Sequence, residues 1–319
     1  MNPDAVGAPA SAEHDLEVRA AWLYHVERLT QAELARALRV SRARVVRLLA
    51  GARDHGVVEV GVDERAGQRI ALSRALVRRF GLRQAIVVNG GVRDDATAHA
   101  VGIAAGRYLA GRLRDGLIIG VGWGATLNHA LAPLAGARAA RLSVISLLGG
   151  MTHSRAVNPA AVARRMADLL HADCYQVAAP LLVARASLRA ALWAEPALAD
   201  LRRRARRAHI ALVSVGDASD DATLFREGLL SRAELDSLRA GGAVGDVLCQ
   251  FLDARGTLLD HPVNRRAVTI GLPDLRAVGE LVVASGGPRK IGALRAALAA
   301  LPVGMLVTDV CAAQGLLSA

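Results

Sequence analysis

Residues 29–60 read LTQAELARALRVSRARVVRLLAGARDHGVVEV, and two short helices joined by a tight turn account for most of that stretch. Thr30-Gln31-Ala32-Glu33 is an S/T-x-x-E capping box, in which hydroxyl and carboxylate satisfy the free backbone N–H groups of a helix start. The helix it opens runs through Leu38. Ser41 caps a second helix that continues to about His55, where Gly56 provides a stop. Helices that cross steeply over a three- or four-residue turn need a small residue at the crossing. Ala35 supplies it, and Leu34, Leu38, Val40, Val45 and Leu49 supply the apolar contacts. Arg39 stands at the turn position where such motifs often carry Gly; a left-handed conformation there costs Arg about 1 kcal/mol.

Charge adds a second argument. From Arg36 to Arg53 there are six arginines and no acid. At 100° per residue, Val45, Leu49 and Ala52 cluster on one face of the second helix, while Ala43, Arg44 and Arg47 point the opposite way. A helix inserted in a major groove requires that division, and the arginine fork matches O6 and N7 of guanine. Ser41, Arg42 and the helix N-terminus are placed for backbone phosphates. Thr30 and Gln31, at the start of the preceding helix, complete the expected DNA-contacting set. The bland alternative is a solvated basic face on an unrelated three-helix unit.

On the amino-terminal side, residues 1–14 are rich in Ala, Pro, Ser and Gly, and a mobile tail is expected there. A helical pattern follows over 15–27, with Leu16, Ala20, Leu23 and Val26 on one stripe. On the other side, residues 57–62 have the look of a short strand, so the DNA-binding domain is placed at 15–62. A linker with an amphipathic helix occupies 63–82. From 83 to 319 the pattern alternates. Apolar strand candidates lie at 85–88, 117–121, 142–148, 210–215, 247–252, 268–270, 281–284 and 303–308, with helical stretches such as 96–113, 125–134, 160–171 and 290–301 between them. Short apolar runs separated by helices predict an α/β fold with a parallel sheet covered on both faces.

The 319 residues exceed one average domain, and 53% apolar with 22% charged residues allows a large core. A net charge of +11 points to an anionic partner without choosing among nucleic acid, phosphorylated metabolite and membrane surface. Of 40 basic residues, only Lys290 is lysine; an arginine-favouring genome explains most of that bias, and the solitary ammonium invites a question about its chemistry. Cys174, Cys249 and Cys311 form no metal-type cluster and fit a reducing compartment. Neither a signal peptide nor an apolar run long enough for a membrane span is read. A cytoplasmic protein without metal, cofactor or membrane partner is expected.

Residues 117–127, LIIGVGWGATL, are a strand, a glycine turn and a helix start. Glycines let backbone N–H groups approach an anion, the helix start adds partial positive charge, and Thr126 adds a hydroxyl. The string also satisfies G-x-G-x-x-A, but a dinucleotide needs an acid at the end of the next strand to hold the ribose. That strand ends Ser146-Leu147-Leu148-Gly149-Gly150, so a compact phosphate or sugar fits better. Residues 284–290, ASGGPRK, repeat the arrangement and bring Lys290 to the carboxyl edge of the sheet, where open α/β folds bind ligands. Asp246, before a strand, is suited to sugar hydroxyls, although an ordinary turn carboxylate reads almost as well. Arg202 to Arg207 read as a solvated basic helix face.

Across nearly its whole length the chain resembles the SorC family of bacterial sugar-responsive transcriptional regulators, related in sensor fold to part of the DeoR group. The resemblance rests on the helix-turn-helix, GVGWGATL (120–127), LLGG (147–150), NPAAVARRMA (158–167), AAP (178–180), GLLS (228–231), GAVGDVLCQFLDARG (242–256) and VASGGPRKIGALRAAL (283–298). It implies a larger α/β effector-binding domain, folded like sugar-phosphate isomerases and deaminases, that binds a sugar, polyol or sugar phosphate. It implies homodimers or homotetramers on palindromic operator DNA. It assigns the effector's phosphate to Gly122, Gly124, Thr126, Gly149 and Gly150, and brings Asp246 and Lys290 to the same site. No catalytic residue is expected. The rival reading is a sugar-phosphate isomerase or deaminase with an accessory N-terminal unit, using Asp246 and Lys290 as acid and base. No further His/Asp/Glu cluster beside the glycine loops supports it.

Overall fold

The computed structural model describes residues 12–58, 64–91, 93–153 and 158–318, which fall into two compact units dividing at 66/67. In the first unit, α1 (Ala12–His25), α2 (Gln31–Leu38) and α3 (Arg42–Asp54) enclose a core of Ala20, Leu34, Val45, Leu48 and Leu49. Burying each large aliphatic side chain stabilises the unit by about 1.5–3 kcal/mol. Helix α1 begins at Ala12, within the stretch read as a tail, and Val26 lies past its end and exposed. Val57 and Val58 form a bend, and the rest of the expected 57–62 strand lies outside the described residues.

A buried Glu17 on α1 braces α3 by accepting a hydrogen bond from His55 Nδ1 at 2.8 Å. The hydrogen bond and charge of Glu17 raise the His55 pKa above its usual 6.5. A histidine with a raised folded pKa stabilises fully below its unfolded pKa and loses that contribution as pH rises through the folded value. Amide hydrogen exchange in α1 and α3 is therefore expected to be slower in the wild type than in His55→Ala at pH 6, with the difference closing toward pH 8. An unchanged difference across that range contradicts the ion pair.

The second unit begins within α4 (Glu64–Phe80), whose Leu76 is buried in the large α/β core. In packing, the helix set aside as a linker counts with that core. The strands that follow are β1 (Gln84–Val88), β2 (Ile118–Val121), β3 (Ser143–Gly150), β4 (Asp173–Pro180), β5 (Ile210–Val213), β6 (Val215–Asp217), β7 (Gly245–Val247), β8 (Gln250–Leu252), β9 (Leu281–Ala284) and β10 (Val303–Asp309). Seven of them form one sheet in the order β1-β10-β9-β5-β2-β3-β4, and every pairing in it is parallel. The inner strands IALV, LVVA and VGMLVTD are buried at every position, as a sheet covered on both faces demands. Helices α5 (Asp94–Ala110), α6 (Ala125–His129), α7 (Pro159–Leu170), α8 (Ala186–Ala194) and α9 (Pro196–Arg206) connect the early strands.

Three expected strands differ. The 210–215 run divides, because the chain leaves the large sheet after Val213 and β6 joins β7 and β8 in a small antiparallel sheet. The 247–252 run is the turn of a hairpin, with Leu248 and Cys249 at φ 51° and 61°. A two-residue hairpin turn of this kind needs positive φ at both positions, usually from Asn or Gly. Here Asp246 Oδ2 accepts the Cys249 N–H at 2.8 Å and steadies the strained turn. Residues 268–270 make only a single bridge, Leu148 to Thr269. No helix among the described residues is long and apolar enough to cross a membrane.

Candidate functional site: the outward face of α3 and the sheet-edge cavity

On α2 the capping box is complete: Thr30 N–H donates to Glu33 Oε2 at 2.8 Å, and Glu33 N–H donates to Thr30 Oγ1 at 3.3 Å. Arg39 closes the helix in the left-handed conformation, φ 54° and ψ 40°, its N–H donating to the Ala35 and Arg36 carbonyls. Ser41 Oγ caps α3 by accepting from Arg44 N–H at 3.2 Å. Val45, Leu48, Leu49 and Ala52 face inward. Ser41, Arg42, Ala43, Val46 and Arg47 are exposed, as is Thr30, while Gln31 is half-buried. Arg44 does not share that freedom: its guanidinium is paired with Glu13 of α1. Among the arginines expected to reach bases, Arg47 alone is exposed and forms no ion pair to a described residue.

In the second unit, connections leave the neighbouring strands β2 and β5 in opposite directions, toward β3 and toward β9. Such a switch point opens a crevice at the carboxyl ends of the strands. A cavity of about 280 Å³ lies there, at the small end of ligand pockets. The loop after β2 contributes Trp123, Gly124, Ala125 and Thr126; the end of β5 and β6 contribute Ser214 to Asp217; the loop after β9 contributes Ser285 to Gly287, Arg289 and Lys290. Asp246 enters from β7, and Asp94 and Asp95 from the start of α5. Gly124 has φ 113° and Gly287 φ 94°, which side chains rarely tolerate. The first of these turns leaves α6 without a side-chain cap, so its leading N–H groups have no helical acceptor.

Charge inside the cavity is arranged in pairs. Lys290 Nζ lies 2.8 Å from Asp217 Oδ2, and Asp217 Oδ1 accepts from Ser219 N and Oγ at 3.0 and 2.5 Å. Burial pushes the Asp217 carboxyl up, but Lys290 and Ser219 outweigh it and hold the pKa below the ordinary value. Asp246 goes the other way: fully buried, it is pushed up to about 6, against the lowering effects of the Cys249 N–H and Lys290. Arg289 bridges Asp94 and Asp221. Behind the β9 loop, buried Asp309 accepts from Gly287 N at 2.7 Å and from Cys311 N at 3.0 Å, fixing the glycine turn.

Thr126 is further held by α5, because Gly102 allows the two helices to touch. A Cβ at Gly102 would stand 2.3 Å from the Thr126 carbonyl oxygen and 3.2 Å from Ala130 N. Backbone cannot step aside cheaply. Gly102→Ala is expected to lower stability by about 1–3 kcal/mol despite gaining helix propensity, as read by denaturant unfolding. A neutral or stabilised variant would show that α5 and α6 are not locked together.

The cavity gathers Gly124, Thr126, Asp246 and Lys290. Gly122, Gly149 and Gly150 are not on its wall. Gly122 packs under Leu248 and Leu127 and donates its N–H to Leu212. Gly149 lets β3 approach residues 179 and 180, where a Cβ would meet the Ala179 carbonyl at 2.6 Å. Its N–H donates to Val268, and the Gly150 carbonyl accepts from Leu181. Asp94, Asp217, Asp221, Arg289 and Asp309 were not singled out from sequence. Asp217 and Asp309 each end a strand, and that position was the available signal.

A family described as a sugar-binding domain matches residues 64–318, and the MarR family matches residues 20–69. The chain is 31% identical over 315 residues to the transcriptional regulator LsrR of Klebsiella pneumoniae, covering 97% of this chain and 94% of that one. It is 29% identical over 309 residues to the deoxyribonucleoside regulator of Bacillus subtilis, covering 96% and 98%. The crystal structure of the full-length sorbitol operon regulator SorC from Klebsiella pneumoniae superposes with a TM-score of 0.72 at 24% identity, over 95% of this chain and 99% of that one. With a DNA-binding helix-turn-helix ahead of a sugar-binding α/β domain, the chain belongs to the SorC-type family of transcriptional regulators.

Proposed function

We propose that α3 reads operator DNA and that a sugar, polyol or sugar phosphate in the sheet-edge cavity sets the affinity of that reading. The observation that carries the first half is the outward face of α3, where Arg42, Ala43, Val46 and Arg47 stand exposed beside a capped helix start. Arg47 is assigned to a base edge, and Ser41, Arg42, Thr30 and Gln31 to the phosphate backbone; Arg44, paired with Glu13, is a positioning residue. In the cavity, Asp246 and Asp217 are suited to hydroxyl groups and Lys290 to a hydroxyl or phosphate, with Gly124 and Thr126 at the same wall. The protein acts in the cytoplasm as a homodimer or homotetramer, without catalytic turnover. A metabolite changes operator affinity only by its differential affinity for two arrangements of the protein.

The isomerase alternative would use Asp246 as an acid near pH 6. Its carboxylate is instead engaged with the hairpin turn at Cys249. A thermal-shift screen of sugars, polyols and their phosphates tests the ligand class directly. A true effector at 100 times its Kd adds about 2.7 kcal/mol to stability. A panel without any stabilising member contradicts the assignment of the cavity.

A further inference from the structure

Helices α8 and α9, with Thr269 and Gly271, line a second, open cavity of about 390 Å³, which shares no lining residue with the first. Two guanidiniums line it, those of Arg189 and Arg202, together with the indole of Trp193 and the small side chains of Ala190 and Ala194. The two arginines are neutralised differently. Arg202 Nε donates to Asp274 Oδ2 at 2.6 Å, but the other oxygen of that buried carboxylate is taken by Arg206 at 3.2 Å. One acid thus serves two cations. Arg189, half-buried, forms no ion pair with any described residue; its Nε donates to the Ala267 carbonyl at 2.7 Å, and its two terminal NH₂ groups make no hydrogen bond to a described residue.

The Asp274 carboxylate is thus shared by Arg202 and Arg206, and Arg189 stands beside them with no carboxylate of its own among the described residues. Burial and the charge of Arg202 both lower the Arg189 pKa, which marks a cation placed where a counter-ion would relieve it. The Trp193 indole N–H is buried and finds no acceptor among the described residues. A guanidinium fork with free terminal groups matches the paired oxygens of a carboxylate or phosphate. The Trp193 ring and the two alanines offer an apolar wall to the body of such a molecule.

We propose that this cavity is a second ligand site, for a small oxyanion held by the Arg189 fork with Arg202 beside it. The segment that borders it is tied to β3, with Ile270 N–H donating to the Leu147 carbonyl and the Val268 carbonyl accepting from Gly149 N–H, so an occupant would lie against a segment bound to that strand.

Calorimetric titration of the full-length protein with inorganic phosphate and with citrate, at constant ionic strength against a chloride control, tests the proposal. The wild type is expected to show one saturable event that survives Lys290→Met, weakens at least about tenfold in Arg189→Gln, and is partly restored in Arg189→Lys, which keeps the charge without the fork. The phosphate and citrate arms tell which oxyanion is preferred. Should Arg189→Gln fail to fold, the Arg189→Lys affinity decides. The proposal is overturned if Arg189 variants bind as the wild type does or if no saturable event survives Lys290→Met. It is equally overturned if the variants change the mass measured by light scattering while anion affinity stays constant, since Arg189 would then serve a contact between copies.

Discussion

Arg47→Ala weakens specific operator binding by about 1–3 kcal/mol, roughly 5- to 150-fold, and leaves the melting temperature unchanged. The size follows from losing one bidentate pair with a guanine edge, the commonest specific contact in a major groove. Stability is spared because Arg47 is exposed while α3 is held through Val45, Leu48, Leu49 and Ala52. Arg44→Ala should behave differently. It removes the tie to Glu13 and weakens binding to all sequences alike, by loosening the seat of α1 on α3. Gel-shift titration against operator and scrambled DNA separates the two. Equal loss on both DNAs for Arg47→Ala would move that residue from base reading to phosphate contact.

The second large effect is at Lys290. Lys290→Ala is expected to abolish the effector response while ligand-free operator binding stays at its wild-type level. Coupling between effector and operator in such regulators is worth about 1–3 kcal/mol, so the wild-type shift to be lost is about 5- to 150-fold. The substitution also strands Asp217, whose side chain is only 6% exposed. Removing one member of a fully buried pair costs about 3–5 kcal/mol. The figure here should be lower, about 1–3 kcal/mol, because Lys290 is 23% exposed and Ser219 still donates to Asp217. Combining Lys290→Ala with Asp217→Asn should recover that stability and not the response. A double variant that responds to effector at wild-type concentrations would show that the ammonium takes no part in recognition.

Local chemistry made much of the architecture readable. The Thr30–Glu33 box and the Ser41 cap are written in adjacent residues, and Arg39 pays for the turn with a left-handed backbone that its position announced. The inner strands were legible because burial on both faces leaves uninterrupted Val, Ile and Leu. Edge strand β4, DCYQVAAP, escaped because it is largely exposed and carries no such run. The 247–252 hairpin escaped because Leu248 and Cys249 occupy positions where the rules look for Asn or Gly, a substitution that only the Asp246 carboxylate explains.

The site was half visible for a related reason. Glycine pairs at strand ends look alike whether they border open space, as Gly124 does at the cavity wall, or make room for a neighbouring segment, as Gly149 does. Long-range partners leave no local trace: Glu13 stands in an apparently featureless tail yet holds Arg44, and Asp94 meets Arg289 from 195 residues away. Asp217 was passed over because a carboxylate at a strand end resembles any turn acid until Lys290 is seen beside it.

The most direct test of the account is an anisotropy titration of the full-length protein on its own promoter DNA, with and without each member of a sugar, polyol and sugar-phosphate panel. The account predicts specific binding at least about 10³-fold tighter than to scrambled DNA, and a shift of about 5-fold or more with one class of metabolite. Equal affinity for promoter and scrambled DNA at low ionic strength, unmoved by every metabolite, would contradict it.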